Sequence, residues 1–377
     1  MKIVLVAGAR PNFMKVAPIL RLLRENPSSF QPVFVHTGQH YDVEMSELFL
    51  AELNLPAPDY YLGVGSGSHA EQTGRVMTAF EQVLARERPD LVMVVGDVNS
   101  TLAAALTAAK LCIPVAHVEA GLRSFDRTMP EEINRVLTDH LCEQLFTTCE
   151  DANANLRAEG IGEEKIHFVG NTMVESLLTY RALAERSSIG ERLGVEPSNF
   201  CVVTLHRPSN VDRPEVLRAL MSALEEIAAE LPVVFPAHPR TQKRLQEFGV
   251  WHPGGEAGQV VILEPVGYFD FLWLEAHARL VITDSGGVQE ETTILSVPCL
   301  TVRENTERPI TIAMGTNVLV GSDPARLVEE ARRVLRGDGK RGAVPALWDA
   351  DVSKRIIAVL SALTETRPRC LSQQPAW

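Results

Sequence analysis

Short apolar runs alternate with stretches of helical periodicity from one end of the chain to the other, and most runs stop at a polar or glycine-containing corner. Candidate strands at residues 2–7, 32–37, 91–95 and 114–118 are interleaved with candidate helices at 13–25, 72–86 and 100–111, with shorter strand candidates at 145–147 and 166–169. Parallel strands need a crossover, usually a helix, so this alternation predicts an α/β fold with parallel sheets. Residues 187–199 have the polar, Gly/Pro-containing character of a linker. The pattern then restarts, with strands at 201–205, 233–235, 260–263, 280–283, 299–302 and 317–319, and helices at 214–229, 269–276 and 324–335. At 377 residues the chain is too long for one ordinary core. The expectation is two domains, residues 1–185 and 186–350, plus a helix and tail over 351–377 that could pack on either domain, including back on the first. Open α/β sheets bind ligands outside the carboxyl ends of their strands. Two such domains facing each other would therefore enclose one central cleft.

Charge narrows the partners. The net charge is −12 with no Lys/Arg block, which disfavours nucleic acid and membrane surfaces. The apolar run at 3–7 is too short for a signal-peptide core, and no stretch is long enough to span a bilayer. Six cysteines without a CxxC pair fit reduced thiols and a cytoplasmic location. An anionic ligand would need a local positive site against this balance.

One corner is a candidate for that site. Thr283-Asp284-Ser285-Gly286-Gly287-Val288-Gln289-Glu290-Glu291 closes a strand and opens a helix. Ser285 or Asp284 can cap the helix, and the glycines let backbone N–H groups approach an anion. Glu290 and Glu291 are expected in the first turn, where they could meet ribose hydroxyls. At the other end of the chain, Gly8-Ala9-Arg10-Pro11-Asn12-Phe13-Met14-Lys15 puts Arg10 and Lys15 near a helix start. It is not GxGxxG, so the dinucleotide fingerprint is absent and no nicotinamide cofactor is expected.

Acids gather at the remaining strand ends. Asp97 follows an apolar strand in Val95-Gly96-Asp97-Val98-Asn99-Ser100, where Asn99 and Ser100 could take the helix-cap role and leave Asp97 available. Glu119 interrupts a strand that should be buried, and a buried carboxylate needs a partner such as Arg123. Thr128 and Glu131 have the capping-box spacing. His206 and His238 end neighbouring strands, each followed closely by an Arg. Several carboxyls and a His facing one cleft suit proton transfer. No HxxxH or DxD pattern suggests a metal, and no GxSxG elbow suggests a Ser nucleophile.

Read together in order, Gly8–Lys15, the residues 37–42, 96–101, 117–123 and 130–135, His206-Arg207, 284–291 and Thr306-Glu307-Arg308-Pro309 resemble the non-hydrolysing UDP-N-acetylglucosamine 2-epimerases. The resemblance covers nearly the whole chain. It implies two Rossmann-like domains of the GT-B type, a UDP-sugar substrate, no cofactor and a homodimer. It further implies that UDP is eliminated to give 2-acetamidoglucal, then re-added after protonation from the other face, forming UDP-N-acetylmannosamine. By motif, Asp97, Glu119, Glu131 and His206 stand near carbon 2, without a fixed split between acid and base. Arg10, Lys15, Ser285, Gly286 and Gly287 would hold the diphosphate, Glu291 the ribose and Phe271 the uracil, with Arg308 adding charge. Gln39, His40, Arg207 and His238 lie in motifs suited to a second, activating UDP-N-acetylglucosamine. The sequence departs from many members at Ala9 and Asn12, at Pro208-Ser209 and at Trp348-Asp349-Ala350, which lacks a glycine usual near that point. The alternatives are a 2-epimerase of a related UDP-diacetamido uronic acid and a GT-B glycosyltransferase.

Overall fold

The computed structural model describes residues 1–39, 50, 52–251 and 260–366, without the side chains of Arg10 and residues 365–366. The described residues form two parallel sheets. The first contains β1 (Lys2–Ala7), β2 (Gln31–His36), β3 (Tyr60–Tyr61), β4 (Leu91–Val95), β5 (Val115–Ala120), β6 (Gln144–Thr147) and β7 (Ile166–Phe168) in the order β3-β2-β1-β4-β5-β6-β7. The second contains β8 (Cys201–Thr204), β9 (Val233–Pro236), β10 (Val260–Leu263), β11 (Leu280–Thr283), β12 (Cys299–Thr301) and β13 (Asn317–Leu319) in the order β10-β9-β8-β11-β12-β13.

Both faces of each sheet are covered, as parallel sheets require. Side chains alternate across a strand. Ile3 and Leu5 of β1 thus join Phe13, Leu20 and Met93 on one face, while Val4 and Val6 join Phe80, Val92 and Ala108 on the other. Cys201 and Val203 likewise face Leu217, Leu224 and Phe235, while Val202 faces Leu274 and Val281. Phe13 is fully buried, so Phe13→Ala should cost about 3–5 kcal/mol.

Strand order reverses between β1 and β4 in one sheet and between β8 and β11 in the other. Open α/β sheets hold ligands at such reversals. Here they lie beside the Gly8 and Gly96 corners of one sheet and the His206 and Ser285 corners of the other.

The structure differs from the sequence pattern in several places, three of which follow. The stretch read as a linker holds a short helix, Ile189–Leu193, closed by Gly194 at φ +64°. The two-residue edge strand β3 is too short to leave an alternating pattern. A helix at Thr172–Ala184 was not foreseen, and it packs against helices Arg10–Glu25, Tyr268–His277, Gly286–Leu295 and Val352–Thr366. It therefore joins elements of both sheets. Val352, Ile356 and Leu360 of the last helix are buried in the same core as Phe13. The indole N–H of Trp348 donates to the Thr148 carbonyl at 2.8 Å, bringing the returning chain onto the first sheet's side.

Candidate active site

The first corner is built around Asn12. Its Oδ1 accepts from the Gly8 and Ala9 N–H groups, each at 3.0 Å, and its amide donates to the Val95 carbonyl. Helix Arg10–Glu25 is thereby fixed against the end of β4, and its Lys15 is buried facing the cleft floor. Gly96 turns at φ +68°, and a Cβ there would lie 3.0 Å from Lys15 Nζ. Glycine allows this close approach, directly before Asp97.

Glu119 sits at a register shift between Val118 and Ala120 and has φ +74°, a strained conformation for a non-glycine residue. The bulge turns its side chain away from the ladder. Lys15 Nζ reaches Glu119 Oε1 at 2.7 Å, and Arg308 Nη2 reaches the same oxygen at 3.2 Å from the second sheet's side. Among the described residues, Glu119 Oε2 has no hydrogen-bond partner. The expected Glu119–Arg123 pair is not formed. Arg123 points to the opposite side, pairing with Asp139 at 2.7 Å and with Glu159 at 2.7 Å.

Asp97 pairs with Arg135 at 2.6 Å. Burial works against its charge, but Arg135, Lys15 and Arg308 outweigh burial and hold the Asp97 carboxyl below the usual carboxylate range. Neither Asn99 nor Ser100 caps the next helix; its N-cap is Val98. Glu131 also makes no capping box. Helix Pro130–Leu141 starts after Met129, which provides no side-chain cap, and the Thr128 hydroxyl is spent on Asp126. Glu131 instead reaches across the cleft, 3.5 Å from Arg207 Nη1.

The second sheet supplies the facing wall. His206 Nδ1 lies 3.0 Å from Asp284 Oδ1, and the buried Asp284 carboxylate also accepts from the His206 and Arg207 N–H groups and the Asn210 amide. Burial opposes its charge, but His206 and these donors prevail and keep the Asp284 carboxyl low. Asp284 is thus occupied orienting His206 and does not cap helix Gly286–Leu295. Ser285 is the N-cap residue but makes no side-chain cap bond. The first N–H groups of that helix keep their capacity to bind an anion.

Glu290 and Glu291 lie in the second turn, not the first, and both are buried. Glu290 Oε1 is 2.9 Å from Arg308 Nε, while burial is the largest influence and pushes Glu290 up to about 7. Burial and the neighbouring Glu290 push Glu291 up to about 8, against hydrogen bonds from Glu275 and Tyr268. Glu307 gathers Arg303 at 2.7 Å and Arg308 at 2.5 Å. Burial opposes its charge, yet Arg308, Arg303 and Arg135 hold it far below the carboxylate range. Against the chain's overall acidity, the cleft is a lattice of carboxylates and cations, shared between the two sheets.

The family model described as UDP-N-acetylglucosamine 2-epimerase matches residues 22–361. The chain belongs to that family. It is similar to the UDP-N-acetylglucosamine 2-epimerase of Methanocaldococcus jannaschii, with 45% identity over 366 residues covering 96% of this chain and 99% of the relative. It is also similar to the UDP-2,3-diacetamido-2,3-dideoxy-D-glucuronate 2-epimerase of Pseudomonas aeruginosa, 42% identical over 347 residues, covering 90% of this chain and 95% of the relative. The crystal structure of the M. jannaschii UDP-GlcNAc 2-epimerase in complex with UDP-GlcNAc and UDP matches with a TM-score of 0.89 and 45% identity, over 96% of this chain and 100% of that one. As in those epimerases, the architecture is of the GT-B type.

Within this epimerase family member, Lys15, Asp97, Glu119, Glu131, Arg207 and Arg308 are linked by ion pairs or shared partners. Phe271 is half-buried on helix Tyr268–His277. Gln39 Oε1 accepts from the Ser100 hydroxyl at 2.8 Å, and the His238 ring lies 6.3 Å from that of His206. His40 and the side chain of Arg10 lie outside the described residues. Sequence reasoning missed Arg135, Glu307 and Arg303 as the counter-charges of the site, although the first two stand inside the quoted motifs. The signal was available there: a buried acid among strand ends demands a cation, and Arg135 and Arg303 are within a few residues of such acids.

Proposed function

We propose that the protein reversibly epimerises UDP-N-acetylglucosamine at carbon 2, by elimination of UDP to 2-acetamidoglucal and re-addition after protonation on the opposite face. The observation that supports this most is the facing of two walls. Asp97, Glu119 and Glu131 stand on the first sheet's side, and the Asp284-oriented His206 and the uncapped helix start at Gly286 stand on the second's.

In this reading the diphosphate rests on the N–H groups of Gly286 and Gly287 with Ser285, Arg10 and Lys15, while Arg308 adds charge. Glu291 takes the ribose and Phe271 the uracil. Charge grows on the leaving phosphate, where preorganised donors in a dry site are most effective. Two of the three carboxylates are paired with cations: Asp97 with Arg135, and Glu119 with Lys15 and Arg308. Glu131 is the most exposed of the three, at 36% of its side chain, and so can meet substrate directly. With Nδ1 donating to Asp284, the His206 Nε2 is the nitrogen left to exchange a proton. Its ring is 39% exposed on the cleft side. Domain closure over the sugar would retain the glycal.

By the same family likeness the enzyme works as a cytoplasmic homodimer. The chain divides into domains near residues 185 and 350, and Gln39, His40, Arg207 and His238 meet a second UDP-N-acetylglucosamine. Incubation with UDP-N-acetylglucosamine in heavy water tests the reaction. Deuterium at carbon 2 of both sugar nucleotides, without added nicotinamide, is the expected result. Exchange only with UDP-2,3-diacetamido-2,3-dideoxyglucuronate would transfer the assignment to that substrate, and a requirement for a sugar acceptor would refute epimerisation.

A further inference from the structure

Behind the cleft floor lies a charged cluster for which the proposed chemistry has no direct use. His117 of β5 and Asp139 of helix Pro130–Leu141 are both essentially inaccessible to solvent. His117 Nδ1 is 2.6 Å from Asp139 Oδ1, and His117 Nε2 is 2.8 Å from the Gly96 carbonyl. The other Asp139 oxygen accepts from the Gly121 N–H at 3.0 Å and pairs with Arg123 at 2.7 Å.

The hydrogen count follows from the partners. A carbonyl oxygen can only accept, so Nε2 must carry a hydrogen. Asp139 already faces two donors on its second oxygen. Burial opposes its charge, but His117 and Arg123 outweigh burial and hold its carboxyl below the usual range. An ionised carboxylate can only accept as well, so Nδ1 also carries a hydrogen. The groups facing the pair are Arg123 and, on the apolar side, Cys142, whose thiol is pushed well up by burial and by Asp139.

The anchoring points matter more than the cluster itself. Gly96, at φ +68°, immediately precedes Asp97. Gly121, at φ +79°, comes two residues after Glu119, itself at φ +74°. One imidazole–carboxylate pair therefore grips both unusual turns that carry the acids of the first wall. Such a left-handed conformation is strained at Glu119, which carries a Cβ, and persists only where the surroundings hold it.

We propose that His117, carrying a hydrogen on each ring nitrogen and paired with Asp139, is the positioning residue that holds Asp97 and Glu119 in place for the reaction. This rests on the reading that these two acids serve the chemistry at carbon 2. His117 does not touch substrate. It acts through the backbone of Gly96 and, by way of Asp139, of Gly121. A glutamine at 117 has its two donor hydrogens on one nitrogen and cannot span both acceptors.

The test uses the full chain. In His117→Gln, turnover should fall by about 10²-fold, the loss expected when reacting groups are misplaced by around an ångström. UDP should still bind with less than about a tenfold loss, because Ser285, Gly286 and Gly287, which would carry most of the diphosphate, stand on the second sheet's side and make no contact with His117 or Asp139. Glu159→Gln, which weakens the outer contacts of Glu159 to Arg123 and His140 and leaves the Arg123–Asp139 and His117–Asp139 pairs in place, should keep parental turnover. In ¹⁵N-histidine NMR of the unaltered chain, His117 should show a hydrogen on each ring nitrogen, as its two acceptor partners require. That measurement decides the matter if His117→Gln fails to fold. A neutral His117 ring, parental turnover in folded His117→Gln, or an equal loss in Glu159→Gln would overturn the proposal. Failure of the unaltered chain to exchange deuterium at carbon 2 would instead strike the underlying reading of the reaction.

Discussion

Replacing Glu131 with glutamine separates two effects that differ by several kcal/mol. On the stability side, little holds Glu131. It makes no capping box, because the helix starts after Met129, and the one ion pair it makes among the described residues, to Arg207 at 3.5 Å, joins two partly exposed side chains. Such exposed pairs are worth about 0–1 kcal/mol, and glutamine keeps part of the hydrogen-bonding capacity. On the catalytic side, a positioned acid or base contributes about 10²–10⁴-fold in rate, or about 2.7–5.4 kcal/mol of barrier. Glu131→Gln should therefore unfold in urea at nearly the parental midpoint and yet lose at least about 10²-fold in turnover. Saturating UDP-N-acetylglucosamine, with both product formation and deuterium incorporation followed by NMR, is the assay. Parental turnover with parental stability would show that Glu131 only lines the cleft, and the proton chemistry would then fall to Asp97, Glu119 and His206.

Arg308→Met should destabilise the protein strongly, since removing one partner of a buried ion pair costs about 3–5 kcal/mol. The low end is expected, because Glu307 keeps Arg303 and Glu119 keeps Lys15, and a shift of the urea midpoint at constant slope is the readout. Gly286→Ala would drive a Cβ to 2.4 Å from Arg308 Nη1 and 2.6 Å from Glu307 Oε1. Overpacking of about 1–3 kcal/mol at this corner should weaken UDP binding about tenfold or more by calorimetry, and unchanged affinity would remove the corner from the nucleotide site. Stability of the nucleotide-free protein should also fall as pH rises. Glu290 and Glu291 are raised from 4.5 to about 7 and about 8, so over that window the folded chain binds more protons than the unfolded one. Thermal unfolding from mildly acidic to mildly alkaline pH should show the loss, and Glu291→Gln should flatten it.

Strands were easy to read where a parallel sheet buries them on both sides, as in Leu91–Val95, whose five residues are all buried. Helix Thr172–Ala184 was not, and the reason is physical. Its neighbours surround it on several sides, so apolar residues are spread around the helix and leave no single stripe. The site was legible as a set of residue types at strand ends, because that is where the fold places ligands. Its wiring was not. Arg123 follows Glu119 by four residues, but the bulge at Glu119 sends the two side chains apart, to Lys15 and Arg308 on one side and to Asp139 and Glu159 on the other. Thr128 lost its capping role to Asp126, a competition between adjacent polar groups that spacing alone cannot rank.

The burial of Val352, Ile356 and Leu360 beside Phe13 has a consequence for how the protein is made. More than three hundred residues separate helix Arg10–Glu25 from helix Val352–Thr366. At about 5–20 residues per second, a ribosome takes tens of seconds to cover that distance. Throughout that interval the nascent first half carries an unfinished flank, with apolar side chains that nothing yet covers. It can condense around β1 and β4 but cannot close until the end of the chain emerges. A premature stop before Val352 would therefore not merely trim the back of the molecule; it would leave the oldest part of the chain sticky and within reach of chaperones and proteases.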